Sequence, residues 1–272
     1  MTLQQTAART LTALGAAPGT AAGDADLQAR LDRYWSGRAA AYHQRQVDGE
    51  RAPHDRALWH RIWGGALPPA PARVLDVGTG TGYVASVLAE LGHDVVGLDS
   101  SPGMLAEAED DAARRRAEGL PAARYLLGDA VAPEGVPGVP ADLDAVTSRY
   151  LLWTLRDPVT AIRAWARLLR PGGTVACVDA NWYPGGIDRG VAVESVDGPG
   201  AFGATYDAPT EAGLPLANAT GVEDLVAVLE AAGLVAVRAT RLDEVAELDR
   251  RYGMSPGHES RPQYLVTGRT PR

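Results

Sequence analysis

Short apolar runs alternate with helical segments along most of the chain, starting at Arg73. Val74–Val77 is typical of a buried strand, whereas residues 83–91 carry apolar side chains at helical spacing. Further strands are predicted over residues 94–98, 124–127, 145–147, 174–178, 234–239 and 263–268, and further helices over residues 101–118, 157–171 and 222–232. Alternation of this kind predicts a parallel sheet whose strands are joined by right-handed helical crossovers.

The N-terminal part of the chain follows a different pattern. Apolar residues recur at helical spacing from Leu27 onwards, and the proline-rich run 67–71 ends this block. We therefore predict an N-terminal tail and helical cap over residues 1–70 and an α/β core over residues 71–272. Within the core, residues 181–220 are rich in glycine and proline and interrupt the alternation. An ordered insertion of this length is expected to form a lid or a pocket wall.

The composition narrows the possible functions. The formal net charge is −8, whereas a protein that follows a nucleic-acid backbone usually has a basic face, so we expect no nucleic-acid partner. All 26 basic side chains are arginines, which excludes a Schiff-base lysine and a P-loop lysine. The single cysteine, Cys177, predicts no intrachain disulfide, and the five histidines lack metal-ligand spacing, so no metal site is expected.

The expected location follows from two absences in the sequence. No apolar run approaches the roughly 20 residues that a membrane-spanning helix needs. The N-terminus also lacks the charged segment followed by an apolar one that marks a signal peptide. We therefore expect a cytoplasmic protein without a membrane partner, and the sequence leaves a monomer and a homodimer open.

The most informative motif is the glycine loop Asp76-Val77-Gly78-Thr79-Gly80-Thr81-Gly82, which follows the first predicted strand and opens a helix. Its glycines let a ligand approach the main chain, and the helix N-terminus supplies free N–H groups. Asp99 ends the second strand and Asp129 follows the third, and an acid after the second strand suits ribose hydroxyls. A nicotinamide dehydrogenase is the main alternative. Its Gly-x-Gly-x-x-Gly spacing is not met, because Tyr83 takes the last place.

Together with Gly97–Ser101, Met104, Gly128–Ala130 and Leu169–Gly173, this motif resembles the class I S-adenosylmethionine-dependent methyltransferases. The resemblance runs from about Ala70 to Asp179 and resumes near Val222. It implies an α/β fold with a Rossmann-like, doubly wound sheet of seven strands, mostly parallel with one antiparallel strand, and an N-terminal helical lid. It also implies S-adenosylmethionine as the cofactor.

The resemblance implies a role for individual residues. The glycine loop would face the methionine part of the cofactor, Asp76 would hold its ammonium group, and Asp99 would accept both ribose hydroxyls. Met104 would pack on the adenine, and Asp129 would accept a hydrogen bond from the adenine amino group. The complete set of expected cofactor contacts is Tyr34, Tyr42, Asp76, Gly78, Thr79, Gly80, Gly82, Asp99, Ser100, Met104, Gly128, Asp129, Ala130, Ser148 and Arg149.

Two further segments resemble a bacterial branch of the family with small-molecule or uncertain substrates. Residues 34–42 are similar to its cofactor-capping segment, and residues 148–155 are similar to its Ser-Arg-x-x-x-Trp-Thr-Leu segment. Arg149 either contacts a ligand or forms a surface ion pair, and Trp153 either lines a pocket or packs in the core. The expected substrate contacts are Trp35, Tyr150, Trp153, Asn181 and Trp182.

No catalytic side chain is obligatory for methyl transfer, because the enzyme mainly aligns the acceptor, the methyl group and the sulfur and excludes water. Tyr150, His43 and His54 are the candidates for a general base. A structural role is the alternative for the tyrosine, and a solvated position is the alternative for each histidine.

The expected function is therefore methyl transfer from S-adenosylmethionine to N, O or C of a small molecule such as a secondary metabolite. Two other functions stay open. One is an enzyme of the same fold that uses the bound cofactor without methyl transfer, and the other is a non-enzymatic cofactor-binding protein. The expected partner is a small-molecule methyl acceptor.

Overall fold

A sheet of seven strands organises the chain in the computed structural model, which describes residues 21–193, 195–254 and 259–272. The strands are β1 (Arg73–Val77), β2 (Asp94–Asp99), β3 (Arg124–Leu127), β4 (Leu143–Arg149), β5 (Leu169–Ala180), β6 (Val235–Arg241) and β7 (Gln263–Arg269). Their order is β3-β2-β1-β4-β5-β7-β6, and β7 runs antiparallel to both of its neighbours. The predicted Rossmann-like sheet with one antiparallel strand is confirmed.

Nine α-helices surround the described part of the sheet. They are α1 (Ala21–Val47), α2 (Ala52–Ala66), α3 (Tyr83–Glu90), α4 (Pro102–Ala117), α5 (Pro158–Leu168), α6 (Ala201–Thr205), α7 (Ala208–Ala212), α8 (Val222–Ala231) and α9 (Asp243–Tyr252). Hydroxyl and carboxylate caps fix three of them, α4, α5 and α7. Ser101 Oγ accepts from Met104 N at 3.3 Å before α4, and Asp157 Oδ1 accepts from Thr160 N at 2.9 Å before α5. None of the described helices is long and apolar enough to cross a membrane.

Several elements differ from the sequence prediction, among them the short helices α6 and α7, which were not predicted within residues 181–220. The helix expected to run to Pro171 ends at Leu168, and β5 begins at Leu169, which pairs with Leu143 of β4. Helix α9 was not predicted, because most of its ten residues are polar and only a narrow stripe around Val245 is buried.

Both faces of the sheet are covered. Successive residues of a strand point to opposite faces, and Val74 and Leu75 of β1 accordingly belong to two different buried clusters. The cluster around Leu75 includes Trp165 of α5 and residues of α8. The cluster around Val74 includes Trp63 of α2 and Leu88 of α3. This double cover explains why the central strands are almost continuously apolar and were recognisable from the sequence.

Helix α1 packs against α4 on one side and against the insertion between β5 and α8 on the other. Ser36 Oγ lies 2.8 Å from Ser101 Oγ, and Gly103 N donates to Ser36 Oγ at 3.2 Å. On the other side, the Tyr34 ring lies 6.0 Å from the Phe202 ring within a third buried cluster. The N-terminal helix is therefore fixed to two separate parts of the core.

The close contact between α1 and α4 depends on a glycine. A Cβ atom at Gly103 would lie 2.7 Å from Ser36 Cα and 2.8 Å from Ser36 O. We expect Gly103→Ala to weaken the docking of α1 by about 1–3 kcal/mol through overpacking. Hydrogen exchange measured by mass spectrometry should rise in α1 and stay unchanged in β1 and β4.

The matched control is Gly65→Ala in α2, where no atom lies within 4 Å of the added Cβ. Alanine favours a helix over glycine by roughly 1 kcal/mol, so this variant should be as stable as the wild type or slightly more stable. Wild-type protection of α1 in Gly103→Ala would contradict the packing argument.

Candidate functional site

Two adjacent cavities open where the carboxyl ends of β1, β2 and β4 meet, which is where open α/β sheets bind ligands. The first, here called the loop-side cavity, has a volume of about 90 Å³ and is bounded by Gly78, Gly80 and Asp99 among others. The second, here called the aromatic chamber, has a volume of about 330 Å³. Four residues line both cavities: Trp35, Tyr42, Arg149 and Tyr150.

The glycine loop exposes its backbone to the loop-side cavity. Gly80 has a φ of +56°, which favours glycine, and a Cβ there would meet only Met104 Sδ, at 4.0 Å. At Gly82, by contrast, a Cβ would lie 2.3 Å from the Tyr125 hydroxyl. Gly80 therefore keeps the main chain accessible to a ligand, and Gly82 lets α3 approach β3 closely.

Asp76 lies beneath the loop and is only 1% exposed. Thr79 Oγ1 donates to its Oδ2 at 2.7 Å, and Thr147 Oγ1 of β4 donates to its Oδ1 at 2.8 Å. Burial raises the pKa of Asp76 to about 6, and the two hydroxyl donors oppose that rise. In this structure the carboxylate fixes the loop to β4.

Asp99 connects β2 to the loop from the other side. Its Oδ2 accepts from Gly80 N at 2.8 Å and its Oδ1 from Ser101 N at 2.9 Å. Burial raises the pKa of Asp99 to about 6. Each carboxylate oxygen has two acceptor positions, so Asp99 keeps the capacity to bind a pair of ligand hydroxyls at the cavity wall.

A polar network closes the loop-side cavity under α1. Gln28 Nε2 donates to Asp32 Oδ1 at 2.8 Å and to Ser100 Oγ at 3.1 Å. Arg156 donates to both Gln28 Oε1 and Asp129 Oδ2. Sequence reasoning missed Gln28, Asp32 and Arg156. The available signal was the spacing of Gln28, Asp32 and Ser36, four residues apart on one face of α1.

Arg149 ends β4 and lies between the two cavities. Its guanidinium carbon is 4.8 Å from the centroid of the Tyr83 ring and 4.9 Å from those of the Trp59 and Tyr150 rings. No hydrogen bond or ion pair joins Arg149 to another residue in the described ranges. Of the alternatives from the sequence, the surface ion pair is therefore absent from those residues, and the side chain stays available to a ligand.

Tyr150 follows Arg149 with a φ of +61°, a conformation unusual for a bulky residue. Its backbone N–H donates to Val178 O at 2.8 Å, and its hydroxyl donates to Gln263 Oε1 at 2.5 Å. Burial raises the pKa of Tyr150, so its phenol stays protonated at neutral pH. The Tyr150 ring therefore forms part of the wall of both cavities, and its hydroxyl proton is used in the hydrogen bond to Gln263.

Asp179 positions two aromatic walls of the chamber. It is buried at the end of β5, where its Oδ1 accepts from Trp182 Nε1 at 2.7 Å and its Oδ2 from Trp153 N at 3.3 Å. Burial raises the pKa of Asp179 to about 7. Trp153 is 6% exposed and nevertheless lines the chamber, so both of its sequence-based interpretations apply.

The aromatic chamber combines rings with arginines. Its aromatic lining consists of Trp35, Tyr42, Trp59, Tyr83, Tyr150, Trp153, Trp182 and Tyr183. Arg51 is compensated within the lining, because it lies 2.7 Å from Asp55 Oδ2 and 2.8 Å from Asp249 Oδ1. Sequence reasoning missed the contributions of Arg51 and Asp249, since they come from separate helices that only the fold brings together.

The structure places several expected contacts outside both cavities. Tyr34 packs against Tyr206, and its hydroxyl accepts from Arg38 Nη1 at 3.2 Å. His54 is exposed and stacks on the Tyr252 ring at 5.3 Å. The other expected contacts that line neither cavity are Asp76, Thr79, Gly82, Gly128, Ser148, Asn181 and His43. The remaining expected contacts meet at the two cavities.

The raised pKa of Asp76 gives a test of its burial. Because the folded pKa of about 6 exceeds the ordinary value of 3.8, its contribution to stability is fully present below pH 3.8 and is lost as the pH rises through 6. We expect Asp76→Asn to reduce the loss of unfolding free energy between pH 5 and 7.5 by about 1.4 kcal/mol, because the rest of the loss already occurs between pH 3.8 and 5. Urea denaturation at both pH values measures this.

Thr147→Val is the matched variant, because it removes a donor to the ionised carboxylate and leaves Asp76 titratable. Its loss of stability with rising pH should be steeper than in the wild type. Identical pH dependence in Asp76→Asn and the wild type would show that the carboxyl does not titrate in this range.

Comparison with known proteins agrees with this geometry. Residues 75–177 match the methyltransferase domain family. Over 112 residues, the chain is 42% identical to an uncharacterized methyltransferase of Mycobacterium tuberculosis, covering 41% of each chain. Over 107 residues, it is 36% identical to a ubiquinone biosynthesis O-methyltransferase of Methylococcus capsulatus, covering 39% of this chain and 42% of the relative. The matched segments thus span less than half of these curated relatives.

A solved structure supports the same fold. Phosphoethanolamine N-methyltransferase 2 of Haemonchus contortus, in complex with phosphomonomethylethanolamine and S-adenosylhomocysteine, aligns with a TM-score of 0.54 and 18% identity. The alignment covers 80% of this chain and 53% of that chain. The sheet order and the glycine loop agree with this fold, and residues 75–177 are similar to the methyltransferase domain family.

Proposed function

We propose that the protein transfers a methyl group from S-adenosylmethionine to a small molecule held in the aromatic chamber. The observation that carries the proposal is the shared wall of the two cavities, formed by Trp35, Tyr42, Arg149 and Tyr150. Methyl transfer needs a donor site and an acceptor site in direct contact, because the reacting atoms must align. The similarity of residues 75–177 to the methyltransferase domain family supports the same function.

The residues of the loop-side cavity fit the proposed cofactor. The Asp99 carboxylate would accept the two ribose hydroxyls, and the open backbone at Gly80 would face the methionine part. Asp129 and Met104 would bind the adenine. The rings of Trp35 and Tyr42, 5.9 Å apart, would face the positive sulfonium, which aromatic faces attract.

S-adenosylmethionine supplies, when bound, an electrophilic methyl group whose C–S bond electrons return to sulfur as the acceptor bond forms. The protein would align the acceptor and exclude water, and α1 lies over the donor side for that purpose. Tyr150, the shared-wall residue that the sequence singled out as a candidate base, does not serve as one, since its phenol stays protonated. We therefore propose that Tyr150 orients the acceptor and that the acceptor reaches the site with a lone pair already available.

A small acceptor fits better than a macromolecular one. The chamber volume of about 330 Å³ lies at the lower end of the range for small-molecule pockets, about 300–1,000 Å³. The formal charge of −8 disfavours a nucleic acid. We propose a free small molecule as the methyl acceptor.

Cofactor binding is tested first. Asp99→Asn replaces one acceptor oxygen with an N–H donor, so the affinity for S-adenosylmethionine should fall roughly 10- to 100-fold in calorimetry. The matched control is Asp144→Asn, because Asp144 accepts from Arg73 N at 2.7 Å, at the opposite end of the sheet. Equal affinity of Asp99→Asn and the wild type would refute the assignment of Asp99.

Methyl transfer is tested separately with S-adenosylmethionine labelled in its methyl group and incubated with metabolite extracts. We expect label in at least one small molecule and much less of it with Asp99→Asn. Tight cofactor binding without a labelled product in any extract would contradict methyl transfer and would favour an enzyme that uses the cofactor in another way.

A further inference from the structure

The charge of the aromatic chamber is opposite to that of the whole chain. Apart from Arg45, its described lining contains the arginines Arg38, Arg51 and Arg149 and the two carboxylates Asp55 and Asp249, whereas the chain carries a formal charge of −8. Both carboxylates already lie within 3 Å of Arg51. An enclosed site with excess positive charge attracts anions and disfavours cations.

Two arginines of the chamber lack a carboxylate partner among the described residues. Arg149 forms no hydrogen bond or ion pair with the described residues, and its guanidinium lies against the rings of Trp59, Tyr83 and Tyr150. Arg38 is 5% exposed, and its one hydrogen bond joins it to the neutral Tyr34 hydroxyl, while its buried Nε has no partner. Leaving a buried guanidinium unpaired is costly, so these positions favour a ligand that supplies the negative charge.

The two arginines differ in position, because Arg149 belongs to the shared wall and Arg38 does not. Arg149 lines both cavities, so by position alone it could serve a carboxylate of the donor or of the acceptor. Arg38 lines the chamber only and is absent from the loop-side cavity. An anion on the acceptor side therefore meets positive charge from both β4 and α1.

The remaining lining fits a flat ring. The Tyr150 and Trp182 rings lie 5.2 Å apart at an interplanar angle of 87°, and the Trp153 and Tyr183 rings lie 5.4 Å apart. These rings line the chamber. A ligand ring packed against them gains from aromatic contacts, which contribute about 0.5–1.5 kcal/mol per pair beyond the buried area. The Trp182 indole is held by Asp179, so this surface is preorganised.

We infer that the methyl acceptor is a planar aromatic compound that carries an anionic oxygen group, and that Arg149 pairs with this group while Arg38 adds positive potential. The inference rests on the proposed methyl transfer, and it deepens that function by naming the class of acceptor. Arg149 is then the residue that determines specificity, because a guanidinium binds a carboxylate or phenolate in a way that no other shared-wall side chain can.

The experiment uses three probes of equal ring size on the full-length protein saturated with S-adenosylhomocysteine. They are 2-naphthoate, 2-naphthylmethanol and 2-naphthylmethylamine, each titrated by calorimetry. The naphthoate should bind at least about tenfold more tightly than the alcohol, and the amine should bind most weakly. 2-Naphthol titrated at pH 7 and pH 10 distinguishes a phenolate from a carboxylate as the preferred anion.

Arg149→Gln should bring naphthoate to within about threefold of naphthylmethanol, because it should lower the affinity for naphthoate much more than the affinity for the alcohol. The matched control is Arg61→Gln, an exposed arginine of α2 outside both cavities, which should keep the wild-type preference. Arg38→Gln should lower the affinity for naphthoate as well, but by a smaller factor than Arg149→Gln. It provides a second test if Arg149→Gln does not fold.

Two results would overturn the inference. One is equal binding of the three probes to the wild type. The other is an Arg149→Gln protein that loses affinity for S-adenosylhomocysteine and retains the preference for naphthoate, which would assign Arg149 to the cofactor. Failure of the proposed function is a different result, namely no binding of the cofactor to the wild type. Repeating the titrations without S-adenosylhomocysteine keeps the two outcomes separate.

Discussion

The hydrogen bonds to the Asp76 carboxylate fix the geometry on which both cavities depend. This buried group joins the end of β1 to Thr79 in the glycine loop and to Thr147 in β4. The loop position sets where Gly80 meets Asp99. Because Arg149 lies two residues beyond Thr147 on β4, the same bonds determine where its guanidinium enters the shared wall. One carboxylate thus couples the donor side of the site to the acceptor side.

Strain at the shared wall supports the same view. Tyr150 holds a φ of +61°, and a bulky residue in this region costs about 1–3 kcal/mol. The backbone bond to Val178 and the hydroxyl bond to Gln263 hold this conformation in place. Strain maintained by two bonds from neighbouring strands is typical of functional sites. Here it turns the chain sharply after Arg149, so that consecutive side chains both face the cavities.

The sequence predicted the strands and the donor side well, for physical reasons that particular residues illustrate. β1 is buried on both faces, so Val74 and Leu75 give a continuous apolar run, and Asp99 follows such a run directly. Local patterns could not reveal the pairing of Arg156 with Gln28 and Asp129, because the partners lie far apart in the chain. The contact of Tyr34 with Phe202 could not be predicted either. Helical spacing shows which side chains share one face of a helix, but it does not show which other element packs against that face.

The acceptor side illustrates how local charge can differ from the overall charge. Most of the acidic residues lie outside the chamber, and the two within it, Asp55 and Asp249, form their ion pairs with Arg51. A guanidinium surrounded by rings keeps its charge, because arginine does not deprotonate in proteins and stacks well on aromatic faces. The absence of lysine therefore has a consequence for function: every cationic side chain in the described lining of the chamber is a planar, permanently charged guanidinium suited to flat anions.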